Sequence, residues 1–379
     1  MKFATKLVQF DGGLKDPYSS MATPIYQTAT FEQDQADSFG EYDYSRSGNP
    51  TRRVLENQIA ALEGGTRSFC FSSGMAAILA VTQLLKAGDE ILADWDLYGG
   101  ATRLFGEVVN RAGIKVRYID ASDPAGVASQ FSPETRLLYV ESPTNPMLRV
   151  VDLEALGAVA HQHGALLCVD SSTMSPYLQN PLSLGADIVI HSATKFLCGH
   201  GDVTGGAVVV RDESLAKEVA FLQNATGTAL GPFDCFLLLR GLKTLKIRMD
   251  AQQSTAAKIA AFLTGHAKVS AVHYPGLTTH AGYTIQSRQA RGGGSVLSFT
   301  VGSEEAAKKV AERTRLFRIA VSFGSVSSTI SVPVKMSHAS TPLALKALRG
   351  IPSDLVRISA GIEDAEELID DLGQALNTV

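Results

Sequence analysis

Cysteine is scarce: the chain has four, Cys70, Cys168, Cys198 and Cys235, and they lie far apart. They form no zinc spacing and no secreted disulfide framework, which leaves buried, reduced thiols as the reading. No apolar run approaches the roughly 20 residues of a membrane helix, and the opening MKFATKLVQFDGG lacks the continuous apolar segment of a signal peptide. Neither sign of charge is in excess. The formal net charge of −4 gives no global field favouring nucleic acid or an anionic membrane. Internal repeats and low-complexity segments are missing. So are the glycine signatures of nucleotide enzymes, since no Gly-x-Gly-x-x-Gly follows the first strand and no P-loop occurs. What remains is a chain of 379 residues, 45% hydrophobic and 19% charged. That is a soluble globular protein, long enough for two domains and expected in the cytoplasm.

Residues 1–47 are rich in Thr, Gln, Asp, Ser and Tyr and show little helical periodicity, so they form either a loose tail or an arm docking elsewhere. Tyr26, Phe31, Phe39, Tyr42 and Tyr44 favour docking. Thr51 is a candidate N-cap for the helix RRVLENQIAALEG. From Thr66 onward, short apolar strands alternate with amphipathic helices: RSFCF, AAILAVTQLLKAG, EILADWD, ATRLFGEVVNRAG, KVRYID, RLLYVE, DLEALGAVAHQHG, LLCVD and ADIVIHS. AVVVRD reads as a further strand, a candidate for antiparallel pairing. This alternation predicts a mostly parallel α/β sheet with helices on both faces. From about Thr226 the pattern changes to one long helix through PFDCFLLLRGLKTLKIRMDAQQSTAAKIAAFLTGH, then a glycine-rich hairpin and short strands under helices. A smaller second domain follows from it.

The stretch ADIVIHSATKFLCGHGDVTGG, residues 186–206, carries the most chemistry. An apolar strand ends in Ser192, Thr194 and Lys195 and then enters a glycine-rich loop. Desolvation would depress the lysine pKa and make its amine a nucleophile for a carbonyl. Taken alone, the pattern also describes a surface lysine in a turn. Ser72, Ser73 and Gly74 open a helix, which makes either an anion site or simply a capped terminus. In parallel sheets ligands bind beyond the carboxyl ends of the strands. Tyr98, Glu141 to Asn145, Asp170 to Thr173 and His191 to Lys195 should therefore converge.

Together these parts suit pyridoxal phosphate, which needs an amine for its aldehyde, an acid opposite its ring nitrogen, a phosphate cup and a stacking face. Lys195 supplies the amine and Asp170 the acid. Gly74, Met75, Ser192 and Thr194 supply the cup, and Tyr98 the face.

The motifs YSRSGNPT (44–51), SGM (73–75), DLYGG (96–100), ESPTNP (141–146), SATK (192–195) and VRISAGIE (356–363) together resemble the cysteine and methionine metabolism family of pyridoxal-phosphate enzymes, of fold type I. The resemblance spans essentially the whole chain. It implies a seven-stranded-type, mostly parallel sheet domain with a smaller C-terminal α/β domain. The division it suggests is an arm over residues 1–47 docking on a neighbouring subunit, a cofactor-binding domain over 48–235 and a C-terminal domain over 236–379. It makes Lys195 the Schiff-base lysine and Asp170 the partner of the pyridine nitrogen. Tyr98 stacks on the ring and is a candidate for proton transfer, and Tyr44 and Arg46 reach the phosphate of a neighbouring subunit. Asn145 and Arg357 orient the ring oxygen and the substrate α-carboxylate, and Ser322 steers the free lysine. The assembly it implies is a homotetramer, a dimer of dimers.

Within the family, FLQNATG (221–227), PFDCFLLLRGLKT (232–244), SFGSV (322–326), MSHAS (336–340) and LVRISAGIED (355–364) are most similar to the plant-type branch that cleaves L-cystathionine by α,β-elimination in methionine biosynthesis. Members acting at the γ-carbon usually carry a glutamate where Ser327 stands. Its absence weakens, without removing, the alternative of γ-elimination or γ-replacement, the cystathionine γ-lyase and γ-synthase reactions. No extended transit segment precedes the arm, so a bacterial-type cytoplasmic enzyme is expected.

Overall fold

Two sheets, each with its own core, carry the chain. The computed structural model describes residues 1–379 apart from 11, 15 and 337–348, so most of the MSHAS motif lies outside the described residues. The larger sheet is built from β1 (Arg67–Phe71), β2 (Glu90–Asp94), β3 (Lys115–Ile119), β4 (Thr135–Glu141), β5 (Leu166–Asp170), β6 (Ile188–Ser192) and β7 (Gly206–Val210). Their order is β1-β7-β6-β5-β4-β2-β3. From β6 to β3 every pair is parallel, and β7 runs antiparallel to both its neighbours. The inner strands are buried on both faces because helices cover both, whereas edge strand β3 is partly exposed. One core holds Val140, Leu167, Val169 and Val189, and the other holds Tyr139, Cys168, Ile188 and Ile190. The second sheet has β8 (Ala271–His273), β9 (Val296–Thr300), β10 (Arg318–Ile319), β11 (Thr329–Ser331) and β12 (Leu355–Ser359), in the order β10-β11-β12-β9-β8.

Several elements differ from the sequence reading. Asn49, not Thr51, caps the Pro50–Glu63 helix, its side chain accepting from the amides of Thr51 and Arg52. Pro50 takes the first helical position, where its missing N–H costs nothing. Thr51 instead turns its hydroxyl to Pro24 O at 2.7 Å and pins the arm. The chain's first residues form a short helix, Phe3–Val8, whose Leu7 is buried in this chain's own core and whose carbonyls accept from Gln58. Its single apolar turn is too short for a periodic signal. The expected glycine-rich hairpin is interrupted by the Tyr283–Gln289 helix between β8 and β9.

The predicted long helix is two helices, Pro232–Leu242 and Leu245–Thr264. The break has a cause: Gly241 O, which a continuous helix would give to the amide four residues on, accepts instead from the Thr244 amide at 3.2 Å and hydroxyl at 3.1 Å and from the Arg248 guanidinium at 2.9 Å. The second helix spans both cores. Leu245 and Met249 belong to the large-sheet core, and Ala256, Ile259 and Leu263 to the small-sheet core. Among the described residues no helix is long and apolar enough to cross a membrane.

Candidate active site

The carboxyl ends of β4, β5 and β6 lie side by side, with Glu141 in register with Asp170 and Asp170 with Ile190. Beyond them opens a cavity of about 380 Å³. Lys195, Tyr98, Asp170, Ser192, Thr194, Gly74, Met75, Asn145, Ser322 and Arg357 all line it. They come from five separate stretches of the large-sheet half and from two in the small-sheet half.

Lys195 follows β6 in a tight turn, its amide donating to Ser192 O at 3.0 Å. Its Nζ donates to Ser322 Oγ and stands 5.0 Å from the centre of the Phe323 ring. Burial lowers its pKa to about 8, Arg357 reinforcing and Asp170 opposing. Ser322 holds a left-handed backbone, φ 81°, which is rare for a residue with a side chain and here aims the hydroxyl at the amine.

Arg357 comes from the middle of β12 and is 2% exposed. Its Nη1 donates to Asn145 Oδ1 at 2.8 Å and its Nη2 to Ser322 O at 2.7 Å, while Nε is buried with no partner. A buried guanidinium with an idle donor is suited to a carboxylate ligand. Asp170, 7% exposed, ends β5. Its carboxylate accepts from Ser172 N at 3.0 Å and from the Tyr139 hydroxyl at 3.5 Å, both neutral donors. Burial raises its pKa against those bonds and against the charge of His191. A cationic ring nitrogen would hold it ionised.

The helix Gly74–Thr82 points its N-terminus into the same cavity, with Ser73 as cap accepting from Ala76 N at 3.1 Å. Its first-turn amides have no intrahelical partner and favour an anion. A Cβ on Gly74 would come within 3.1 Å of the Ser192 side chain, so glycine lets hydroxyl and helix terminus meet. Tyr98 is 41% exposed at the mouth. Its ring lies over Gly100, where a Cβ would stand 2.3 Å from Tyr98 Cε1 and 2.9 Å from Met75 Sδ. Anion cup, a buried carboxylate at the end of β5, depressed amine and aromatic face fit pyridoxal phosphate.

Tyr44 and Arg46 do not line this cavity. Arg46 lies 5.4 Å from the Tyr44 ring centre and donates to Asn224 O and Oδ1, each at 2.8 Å. His191, at a strand end, turns away and meets Glu63 Oε1 at 2.6 Å in the interior. Other residues received no role in the sequence reading. Glu141 accepts from the Tyr98 amide at 2.9 Å, and burial, with Asp170 and Asp96 beside it, drives its pKa well above the usual carboxylate range. Ser172 caps Asp170 with its amide and takes Ser192 N on its hydroxyl at 2.6 Å. Phe323 packs under the lysine. Strand-end position pointed to Glu141 and Ser172, whereas nothing local marks Phe323.

Residues 4–377 match the family described as Cys/Met metabolism PLP-dependent enzyme. The chain is 52% identical over 375 residues to chloroplastic cystathionine β-lyase of Arabidopsis thaliana, covering 99% of this chain and 81% of that one. It is 45% identical over 376 residues to cystathionine γ-lyase of Bacillus subtilis (strain 168), covering 99% of each. A solved structure of cystathionine γ-lyase from Lactobacillus plantarum, complexed with L-serine, superposes with a TM-score of 0.97 at 38% identity, covering 100% of this chain and 99% of that one. A match of this length and identity leaves one conclusion: the chain belongs to the cysteine and methionine metabolism family of pyridoxal-phosphate-dependent enzymes.

Proposed function

We propose that the protein is a carbon–sulfur lyase that splits L-cystathionine by α,β-elimination, consuming one water and releasing L-homocysteine, pyruvate and ammonia, as a step of methionine biosynthesis. The observation that carries it is the meeting of the Lys195 amine and the Arg357 guanidinium in one buried cavity, linked through Ser322. Arg357 binds the substrate α-carboxylate, using the Nε that has no partner in the protein. That fixes the α-carbon within reach of Lys195, which removes the α-proton and holds it at Nζ. Bound pyridoxal phosphate supplies an electron-poor ring that takes up the electron pair left at the α-carbon. Asp170 keeps the ring nitrogen protonated, Tyr98 covers the ring face, and Gly74, Met75, Ser192 and Thr194 hold the phosphate. Asn145 orients both Arg357 and the ring oxygen. Lys195 then delivers its proton to the departing sulfur.

For β-cleavage one proton shuttle suffices, whereas γ-cleavage also needs a proton taken from the β-carbon. From the loop after β10 the cavity receives Val321, Ser322 and Phe323 and no carboxylate, which favours the shorter sequence. The similarity to a β-lyase at 52% identity supports the same reading. The rival is γ-elimination or γ-replacement, favoured by the near-complete superposition on a γ-lyase. Tyr44 and Arg46, lying outside their own cavity, serve a neighbouring subunit's phosphate in a homotetramer built from dimers. The test is the keto acid formed from L-cystathionine: pyruvate is expected, and 2-oxobutyrate would overturn the β-assignment.

A further inference from the structure

The guanidinium of Arg248, 3% exposed, sits in the interior of the fold with no carboxylate partner among the described residues. Its Nε donates to Thr244 Oγ1 at 3.0 Å, its Nη1 to Phe196 O at 2.9 Å, and its Nη2 to Gly241 O at 2.9 Å and Leu197 O at 3.5 Å. Every one of these acceptors is neutral. A buried cation held only by carbonyls and a hydroxyl is costly, and its burial lowers its pKa to about 10. Two of the carbonyls belong to the residues directly after Lys195. The turn is fitted around the guanidinium: a Cβ on Gly199 would stand 2.0 Å from Arg248 Nη1, and one on Gly241 would stand 2.3 Å from Cys198 O.

One helical turn further along the same helix face, buried Gln252 donates from Nε2 to Ser325 O at 2.7 Å, while its Oε1 has no partner. Ser325 belongs to the turn that presents Ser322. That turn is pressed onto the lysine turn. Val326 N donates to Gly199 O at 2.8 Å, and a Cβ on Gly324 would meet Phe196 N at 2.9 Å and Lys195 C at 3.0 Å. The helix thus grips both turns whose side chains meet at the Lys195 amine.

We propose that Arg248 and Gln252 are positioning residues of the reaction, which together set where Lys195 Nζ stands relative to Ser322 Oγ. Arg248 holds the turn that carries the amine, and Gln252 holds the turn that carries its hydroxyl partner. The proposal rests on Lys195 being the cofactor lysine. A residue that merely ties the helix to the sheet would change stability but not the behaviour of the amine.

The holoenzyme is compared with Gln252→Met, Ser322→Ala, the double variant and Arg248→Lys, following turnover of L-cystathionine, the pH midpoint of the visible chromophore and borohydride trapping. Gln252→Met keeps the packing and also removes an unpaired oxygen. It should lower kcat about 10-fold with KM within about 2-fold, as expected for a small misplacement of a reacting group. It should move the chromophore midpoint in the same direction as Ser322→Ala. In the Ser322→Ala background it should have no further effect, because both act on one contact. Arg248→Lys keeps the charge but cannot reach the three carbonyls together, and should lose more turnover than Gln252→Met. If it does not fold, the Gln252 and Ser322 comparison decides alone. Additive losses in the double variant, or a midpoint left at the wild-type value in Gln252→Met, would overturn the proposal. If wild-type protein is not trapped at Lys195, the reading of the site itself fails instead.

Discussion

At the scale of single residues, the most informative number is the Lys195 pKa of about 8. A lysine brought down from 10.5 is charged in both folded and unfolded chains below pH 8, and the folded state then bears the full cost of burying it. Between pH 8 and 10.5 the unfolded chain binds the extra proton, so this cost fades as pH rises. Its size is on the order of 3 kcal/mol. Cofactor-free Lys195→Met should therefore resist urea better than cofactor-free wild type at pH 7. The gain should be reduced by about 1 kcal/mol for the lost contact to Ser322, and it should shrink toward pH 10. A gain independent of pH would contradict the depressed amine. The same variant in the presence of cofactor should have no measurable turnover, since the α-proton then has no acceptor.

At the scale of elements, the site depends on how closely β7 passes the cofactor-side turn. A Cβ on Gly206 would stand 2.2 Å from Ser73 O and 2.9 Å from Gly74 Cα, both backbone atoms that cannot move without displacing the helix terminus. Gly206→Ala should cost about 2–3 kcal/mol or more in urea unfolding and loosen cofactor retention together. An alanine variant that binds cofactor normally would show that the turn does not form the phosphate cup. This approach was not legible in the sequence, because it joins residues far apart in the chain. The strands were legible, since runs such as ILAD and LLCVD are apolar up to a final aspartate, and so was the meeting of their polar ends at one crevice. The break at Lys243 and Thr244 was not: the apolar pattern continues across it, and the helix stops where Gly241 O is taken by Thr244 and by the Arg248 guanidinium. The cap at Asn49 was missed because Thr51 offers the same chemistry two residues later. Its hydroxyl is taken by Pro24 O.

At the scale of the whole molecule, the two halves meet across the site. Arg357 and Ser322 come from the small-sheet half and Lys195, Asp170 and Asn145 from the large-sheet half, so the cavity exists only when both are docked. If Tyr44 and Arg46 complete a neighbour's phosphate site, Arg46→Ala and Lys195→Ala subunits are each inactive alone. Mixed oligomers of the two should regain activity, because one kind of site then holds both intact residues and the other holds neither. At equal mixing and random pairing, about a quarter of the sites would be intact. Activity that stays absent on mixing, after subunit exchange has been verified by native mass spectrometry, would place Arg46 outside the shared site.

The central claim is that one amine, on residue 195, carries the chemistry. Holoenzyme is reduced with borohydride, digested and analysed by peptide mass spectrometry. The account predicts a pyridoxyl group fixed on the peptide at Lys195 and on no other lysine. An unmodified Lys195, with the cofactor fixed elsewhere or not at all, would contradict it.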